Sequence, residues 1–298
     1  MSGAAANSEE PAETTPTVPF FVLNRFEVLE VGEAGATCRT EVVPWLAGME
    51  ELGIQAATVA LADCALNYAA AYRSSGERYP VSLGLRLDYW RAPPGLGTRL
   101  SGVSSIEAAV GDAFLVRGRI DGPDEVFATA TLRSFLVRRG APSGSFGGWD
   151  ASRAQLVPAP EGPPAAMTGP LDAVLSLTAA RQAGMRLIRS GAGIVELTAR
   201  PDPALERTEG VVHGGAVPVL GQLGCAAAIA LALPDAPAPQ RLDTNTEFLR
   251  PTFVGAPITI RARLVHRSRR IVATHAEILN ADGKPTARVY ETALIEPA

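Results

Sequence analysis

The sequence predicts an α+β chain that uses one plan twice: a pair of strands, one long buried helix, then a meander of strands. Three observations carry this. Residues 54–72 (IQAATVALADCALNYAAAY) and 210–234 (GVVHGGAVPVLGQLGCAAAIALALP) are alanine-rich runs almost without charge, and the second is the longest stretch lacking an ionised side chain. Each leads after a short gap to a strand-like segment with a similar ending, SLGLRLDYWRAP at 82–93 and RLDTNTEFLRPT at 241–252. Setting Ile54 under His213 brings Arg91 under Arg250 without a gap. A repeat of that kind decides the architecture before any single element does.

The elements follow in order. Residues 20–43 alternate loosely around Gly32 and Gly35, which predicts a strand, a turn and a second strand. Residues 44–53 connect into the first helix at 54–72, and SSGERYP closes it as a turn. Strands are expected at 82–90, 98–106, 113–120 and 127–137, with Asp121-Gly122-Pro123-Asp124 as a hairpin-type turn. Residues 140–169, rich in Gly, Pro, Ser and Ala around a lone Trp149, predict a semi-stiff linker between units at 19–139 and 170–298. The second unit repeats the plan. It has a short helix at 171–183, strands at 185–188 and 193–199, a helix from about Gly214, and strands at 243–249, 257–265, 271–279 and 286–295. Asn280-Ala281-Asp282-Gly283 supplies its last turn. Pro218 fits the helix because a missing N–H costs little in the first turn.

The whole chain has 298 residues, 47% hydrophobic and 19% charged, with a net charge of −4, enough for two domains of ordinary size. The mildly acidic balance leaves no footprint for nucleic acid, and no Lys/Arg-rich run marks a membrane surface. Residues 1–18 are polar, acidic and Pro-containing, which reads as a disordered lead-in without a secretory signal. The two uncharged runs are long enough to span a bilayer, but Asp63 in one and Gly-Gly, Pro218 and Gln222 in the other are costly in lipid. Helices buried inside a soluble domain are expected instead. Cys38, Cys64 and Cys225 form no metal-ligand spacing, and their odd number suits a reducing cytoplasm. Cys64 and Cys225 are expected as small core residues.

Two features carry chemistry. A helix starting at Gly214-Gly215 presents unpaired N–H groups with no side chain in the way, an end that attracts developing negative charge. Asp63 is the one carboxylate of the first helical run, set among Val59, Ala60, Ala62 and Leu66, where desolvation favours a raised pKa. Plainer roles stand beside these. Asp63 can be a satisfied buried acid bonded to Asn67, His213-Gly-Gly a tight turn, Ser82 an ordinary strand residue, and Arg91 and Arg250 strand-end anchors. His266 and His275 have no evident partner.

A long helix preceded by a strand pair and followed by a meander resembles the hotdog fold, in which a curved antiparallel sheet wraps one helix. His213-Gly214-Gly215, the small-residue helix behind it, and FLRP at 248–251 followed by Gly255 look like the signature of acyl-CoA thioesterases of the phenylacetate-pathway and 4-hydroxybenzoyl-CoA type. The resemblance covers nearly all of the second half. The first half joins through its frame, with YWRAP at 89–93 in the FLRP place but Ile54-Gln55-Ala56 in place of His-Gly-Gly. In that family two units pair and active sites lie between them. One unit supplies the glycine N–H, and the other a carboxylate nine positions into its own frame, often with a Ser or Thr from the next strand. The resemblance therefore implies one composite site of Asp63 and Ser82 from the first half with His213, Gly214 and Gly215 from the second. The opposite site would hold Gln55, Gln222 and Arg241, and Gln222 has no ionisable oxygen. Arg207 stands where members often carry asparagine.

The activity so implied is cytoplasmic hydrolysis of an acyl-CoA or acyl-carrier-protein thioester. Asp63 would activate water or attack directly, the Gly214 N–H would hold the oxyanion, Ser82 would position the carboxylate or the water, and His213 would orient its loop. Neither metal nor redox cofactor is expected, and coenzyme A enters only as part of the substrate. Arg267, Arg269 and Arg270 (HRSRR) form a basic turn that could meet its phosphates, or be a solvated hairpin tip. Further pairing of the internal pseudo-dimer into a homo-oligomer is compatible with the family. Two other readings are acyl-thioester hydration or dehydration, with His213 and Asp63 sharing protons, and an acyl-CoA-binding module without turnover.

Overall fold

The computed structural model describes residues 18–74, 78–138, 169–191, 193–208 and 210–295. The expected lead-in and linker, with Trp149, lie outside these residues apart from the last residue of each. The first half runs α1 (Pro19–Asn24), β1 (Glu27–Gly32), β2 (Gly35–Glu41), α2 (Ala56–Ala71), β3 (Arg78–Tyr89), β4 (Arg99–Val110), β5 (Ala113–Asp121) and β6 (Val126–Arg138). The second runs α3 (Pro170–Ser176), α4 (Thr178–Gln182), β7 (Arg186–Gly191), β8 (Ile194–Ala199), β9 (Glu206–Thr208), β10 (Val211–Val212), α5 (Ala216–Ala232), β11 (Gln240–Phe248), β12 (Ile258–Arg267), β13 (Ile271–Leu279) and β14 (Pro285–Leu294).

Twelve strands form one antiparallel sheet in the order β1-β2-β4-β5-β6-β3-β11-β14-β13-β12-β8-β7, and β9 with β10 forms a small ribbon. The order is the same read from either end once each strand is replaced by its repeat. The two halves join where β3 pairs with β11, and there Arg86 faces Asn245, its own equivalent in the repeat. A pseudo-twofold axis passes through that pair, so each half offers the other the same edge. The frame inferred from four segments extends to every strand of the large sheet and to both long helices.

α2 and α5 are apolar all round because each is enclosed. α2 lies against β2 to β6, α5 against β8 and β12 to β14, and the helices touch each other. Among the described residues no helix is long and apolar enough to cross a membrane. All three cysteines are buried and unpaired. Small residues set how close helix and sheet come: a Cβ on Gly221 would stand 2.3 Å from Val289 Cγ2 on β14.

The sequence expectation differs from the structure at three places. Residues 19–24 are helical, not the start of a strand; six residues are too few for periodicity to tell the two apart. The expected helix at 171–183 is two short helices broken at Leu177. β3 begins at Arg78, inside the expected turn, and so contains Pro80. The proline is tolerated because β11 pairs β3 only from Gly84 onward, which leaves residues 78–83 an edge with β6 as sole partner.

The Gly221 contact is testable. Alanine is worth about 1 kcal/mol more than glycine in a helix, but overpacking a tight core costs about 1–3 kcal/mol, and Val289 is fully buried. Gly221→Ala is expected to lower the unfolding midpoint and Val289→Ala in the same chain to recover part of it. A midpoint at or above wild type in the single variant would show that Val289 moves aside freely.

Candidate active site

Asp63 lies midway along α2 and is 1% exposed. Its Oδ1 accepts from Ser82 Oγ at 2.7 Å and from Asn67 Nδ2 at 3.0 Å. Asn67 also donates to Ser82 Oγ at 2.9 Å, and Ser134 Oγ reaches Asn67 Oδ1 at 3.3 Å. Asn67 is one turn beyond Asp63 on the same helical face, and Ser82 and Ser134 are paired residues of β3 and β6. The sequence placed Ser82 at a strand start; it is the fifth residue of β3, pointing at the helix. Burial pushes the Asp63 carboxyl up to about 6, opposed by Ser82, the Arg207 charge, Asn67 and the Gly215 N–H. Desolvation wins because most of the compensation is neutral.

The second half closes on Oδ2. His213 Nδ1 is 3.5 Å from Asp63 Oδ2, and a Cβ on Gly214 would fall 2.6 Å from that oxygen. The pair is not an ion pair. Nδ1 already accepts the Gly215 N–H at 2.9 Å, which puts the ring proton on Nε2. Burial, then the Arg207 charge, lowers the His213 pKa to about 3, so the imidazole is neutral. Its position is fixed by the backbone bond from His213 N to Leu205 O at 2.8 Å and by Phe20 stacked on the ring at a centroid distance of 4.5 Å. The misread helix α1 thus supplies a wall of the site. The Gly214 N–H has no acceptor among the described residues, and Gly214 is only half-buried. It is a backbone donor at the mouth of a helix N-terminus, beside a carboxylate from the other half.

Ile54, Gln55, Gln222 and Arg241 occupy the opposite position and form a different object. Arg241 is fully buried and its Nε meets Glu291 Oε1 at 3.0 Å. Its Nη1 donates to the carbonyls of Leu52 and Gly53, just before α2. Gln222 Nε2 donates to Thr244 Oγ1 at 3.0 Å and Tyr89 OH at 3.3 Å, and Thr244 bonds Glu291 Oε1 at 3.2 Å. Gln55 donates to the Arg91 carbonyl at 2.9 Å. Where Asp63 is cradled by hydroxyl and amide groups, Gln222 is built into a cross-half polar lock. Glu291 was not anticipated; a lone glutamate in a strand otherwise reading as core (TARVYETAL) was the available signal.

The remaining residues fall elsewhere. Arg267, Arg269 and Arg270 are exposed at the β12–β13 hairpin, near the segment where Val272 packs on Ile229 and Leu233 at the C-terminal end of α5. Gly214 is at the opposite end, about 25 Å away along a helix of 17 residues. The structure does not bring the basic turn to Asp63. Arg250 bonds the Pro285 carbonyl at 2.7 Å and Arg91 pairs with Glu125, both at strand ends. Arg207 sits beside the site, its guanidinium 4.6 Å above the Tyr79 ring of the first half.

The fold and this site can now be set against known proteins. The fold is shared with a hot dog fold protein of unknown function from Alicyclobacillus acidocaldarius, at TM-score 0.62 and 18% identity, covering 95% of this chain and 99% of that one. It is shared also with a tesB protein of Mycobacterium avium subs paratuberculosis, at TM-score 0.63 and 14% identity over 91% and 96% of the two chains. An acyl-CoA thioesterase II TesB2 of Mycobacterium marinum is similar at TM-score 0.56 and 12% identity, over 91% and 95%. At the level of sequence, residues 209–287 match the model of the thioesterase superfamily. That segment contains His213-Gly-Gly and FLRP, so the resemblance drawn from those residues is borne out. No curated protein matches the chain.

Two stability measurements follow. Asp63 has a raised pKa in the folded chain, so folding favours its protonated form. The contribution is full below about pH 4 and is lost as pH rises through about 6. Asp63→Asn is therefore expected to stabilise the protein at pH 7 by on the order of 1–3 kcal/mol, an advantage that fades toward pH 4; a less stable Asn variant at pH 7 would contradict the desolvation account. At the opposite position, Arg241→Met or Glu291→Leu alone strands a buried charge and should cost about 3–5 kcal/mol. The double variant should lose clearly less than the sum of the two, as a double-mutant cycle in denaturant would show.

Proposed function

We propose that this protein is a thioesterase that hydrolyses an acyl-CoA thioester at a single composite site, with Asp63 as base or nucleophile and the Gly214 N–H as oxyanion donor. The observation that carries the reading is the meeting of a desolvated carboxylate on one half with an open, half-exposed backbone donor on the other. The thioesterase-superfamily segment and the thioesterases among the fold's neighbours support the reaction class. In this reading the chain is a tandem of hotdog units at 19–139 and 170–298, joined by residues 140–169, and works in the cytoplasm on soluble substrate.

The geometry divides the labour between the carboxylate oxygens. Ser82 and Asn67 hold Oδ1, which leaves Oδ2 facing the Gly214 turn where a thioester carbonyl would dock. On the general-base route, Oδ2 takes a proton from water as the water oxygen bonds the carbonyl carbon. The oxyanion forms against the Gly214 N–H, then collapses as the C–S bond breaks and the thiolate takes the proton from Asp63. On the nucleophilic route, Oδ2 bonds the carbon directly and the C–S bond breaks to release the thiolate. Water then attacks the mixed anhydride at Asp63 Cγ, giving the acyl carboxylic acid, the restored Asp63 carboxylate and the proton that the thiolate takes up. Neutral His213 moves no proton in either route. It accepts the Gly215 N–H and so holds the turn that presents Gly214.

Thiol release from a panel of acyl-CoAs tests this. Asp63→Asn should lose about 10²–10⁴-fold in kcat/KM, while Gln222→Ala keeps activity. The wild-type rate should rise with pH through about 6 and then level, following ionisation of Asp63. Undiminished hydrolysis by Asp63→Asn would remove Asp63 from the mechanism, and no hydrolysis of any substrate by wild type would remove the enzyme reading. A single turnover in ¹⁸O-labelled water separates the general-base route from anhydride opening at Asp63 Cγ, because on the latter the first product carries no label and Asp63 carries it instead.

A further inference from the structure

A cleft of about 550 Å³ opens in the first half, beyond the C-terminal end of α2, lined by Arg73, Arg78, Asp112, Phe114, Leu136 and Arg138 among others. Three guanidinium groups face one carboxylate. Arg78 is paired with Asp112, while Arg73 and Arg138 have no carboxylate within ion-pair distance among the described residues. Among the described lining residues, three cations therefore stand against one anion, with Arg73 and Arg138 outside any ion pair. The α2 carbonyls that would repel an anion there are partly turned to other donors, since the N–H groups of Arg73 and Ser74 bond Ala70 O and Ala71 O.

The cleft is aligned with the reaction centre. On β3, alternate residues Ser82, Pro80 and Arg78 share a face, and their β6 partners are Ser134, Leu136 and Arg138. Ser82 and Ser134 bond Asn67, so that face is the one turned to α2. Two parallel tracks thus run from the hydroxyls beside Asp63, past Pro80 and Leu136, to Arg78 and Arg138. Ser82 to Arg78 is about 13 Å along a strand, and Asp63 to Arg73 is about 15 Å along the helix. A pantetheine arm has thirteen bonds between its sulfur and the first phosphorus, which at peptide-like bond lengths spans about 15 Å extended.

We propose that the Arg73/Arg78/Arg138 cleft, not the basic turn at 267–270, receives the phosphates of coenzyme A while the thioester lies between Asp63 and Gly214. The proposal rests on the thioesterase reading for its reacting end and on the cleft alone for its anionic end. Guanidinium groups suit such a ligand, because each can fork onto phosphate oxygens. Free coenzyme A carries a second diphosphate phosphorus and a 3′-phosphorylated adenosine that a carrier-bound phosphopantetheine arm lacks, so the cleft selects the former.

The test uses one acyl group on three carriers: coenzyme A, dephospho-coenzyme A and pantetheine. The full chain, Arg73→Gln/Arg138→Gln, and Arg267→Gln/Arg269→Gln/Arg270→Gln are compared. The cleft variant is expected to raise KM for acyl-CoA about tenfold or more with kcat and the KM for acyl-pantetheine unchanged, and the turn variant to alter neither. Equal KM values for the three carriers in wild type, or a loss that is the same on all three, overturns the proposal. Calorimetry with adenosine 3′,5′-bisphosphate reads the cleft without turnover. If no carrier is hydrolysed yet the bisphosphate binds wild type and not the cleft variant, the cleft stands and the thioesterase reading falls. If hydrolysis proceeds but bisphosphate binding is absent or indifferent to the cleft variant, the cleft falls alone.

Discussion

One close approach governs the candidate site: the Asp63 carboxylate occupies the space where any side chain at 214 would begin. A Cβ there would stand 2.6 Å from Oδ2 and 2.8 Å from Oδ1. Glycine is thus required by contact across the two halves, and that contact sets the site's other features. Burial that tight strips water from the carboxylate and raises its pKa. The same closeness sets the Gly214 N–H, without an acceptor among the described residues, beside that carboxylate. Such proximity needs both sides held still. α2 is enclosed by sheet and by α5, and the loop is pinned by His213 between Phe20 and the Leu205 carbonyl. The charge is sustained at a cost to stability, as is common where function sets the chemistry.

The pseudo-twofold relation makes the opposite position a control within the same molecule. The strands of the large sheet, their pairing and the enclosure of the two long helices are repeated, while the segments leading into those helices differ, with β9 and β10 in the second half. Aspartate becomes Gln222, serine becomes Arg241, and the His-Gly-Gly turn becomes Ile54-Gln55-Ala56. The product is a buried Arg241–Glu291 pair whose guanidinium crosses to carbonyls of the other half. Buried atoms without partners gather there, among them Gln222 Oε1, Arg241 Nη2 and Glu291 Oε2. A polar lock of that kind is weak evidence of added stability. Its clear effect is geometric, since it ties β11 to the segment entering α2.

Much of this was legible in the sequence for a definite reason. The repeat is gap-free, so one alignment of Ile54 with His213 fixed every later equivalence, including Asp63 with Gln222 and Ser82 with Arg241. Asp63, Ser82, His213 and Gly214 lie together, as the family resemblance, not the repeat alone, implied. What escaped depended on tertiary context. α1 is six residues of apolar sequence whose helix is set by Pro19 and by packing of Phe20, neither visible as a period. Asn67, the partner the sequence offered for a satisfied buried Asp63, does bond it, and also links it to Ser82 and Ser134. The basic run at 267–270 looked like an anion site by composition, but composition carries no distance. The arginines of the cleft, Arg73, Arg78 and Arg138, are scattered over 65 positions and converge only because β3 pairs with β6 beside the end of α2.

The candidate site draws on both halves, although the equivalent position carries Gln222 in place of a carboxylate. The first half owns Asp63, Asn67 and Ser82 but has no glycine turn; the second owns the turn but no acid. Neither half alone holds all of these groups, so the contact between halves is needed whatever stands at the opposite position. It changes what the second position does. Arg241 grips Leu52 and Gly53 immediately before α2, and Asp63 stands two turns further along that same helix. A helix transmits position stiffly over two turns, so a shift at its start would arrive at Asp63 nearly undiminished. There the carboxylate lies so close to Gly214 that an added Cβ would stand 2.6 Å from Oδ2. The position that lacks an acid thereby anchors the helix that carries Asp63.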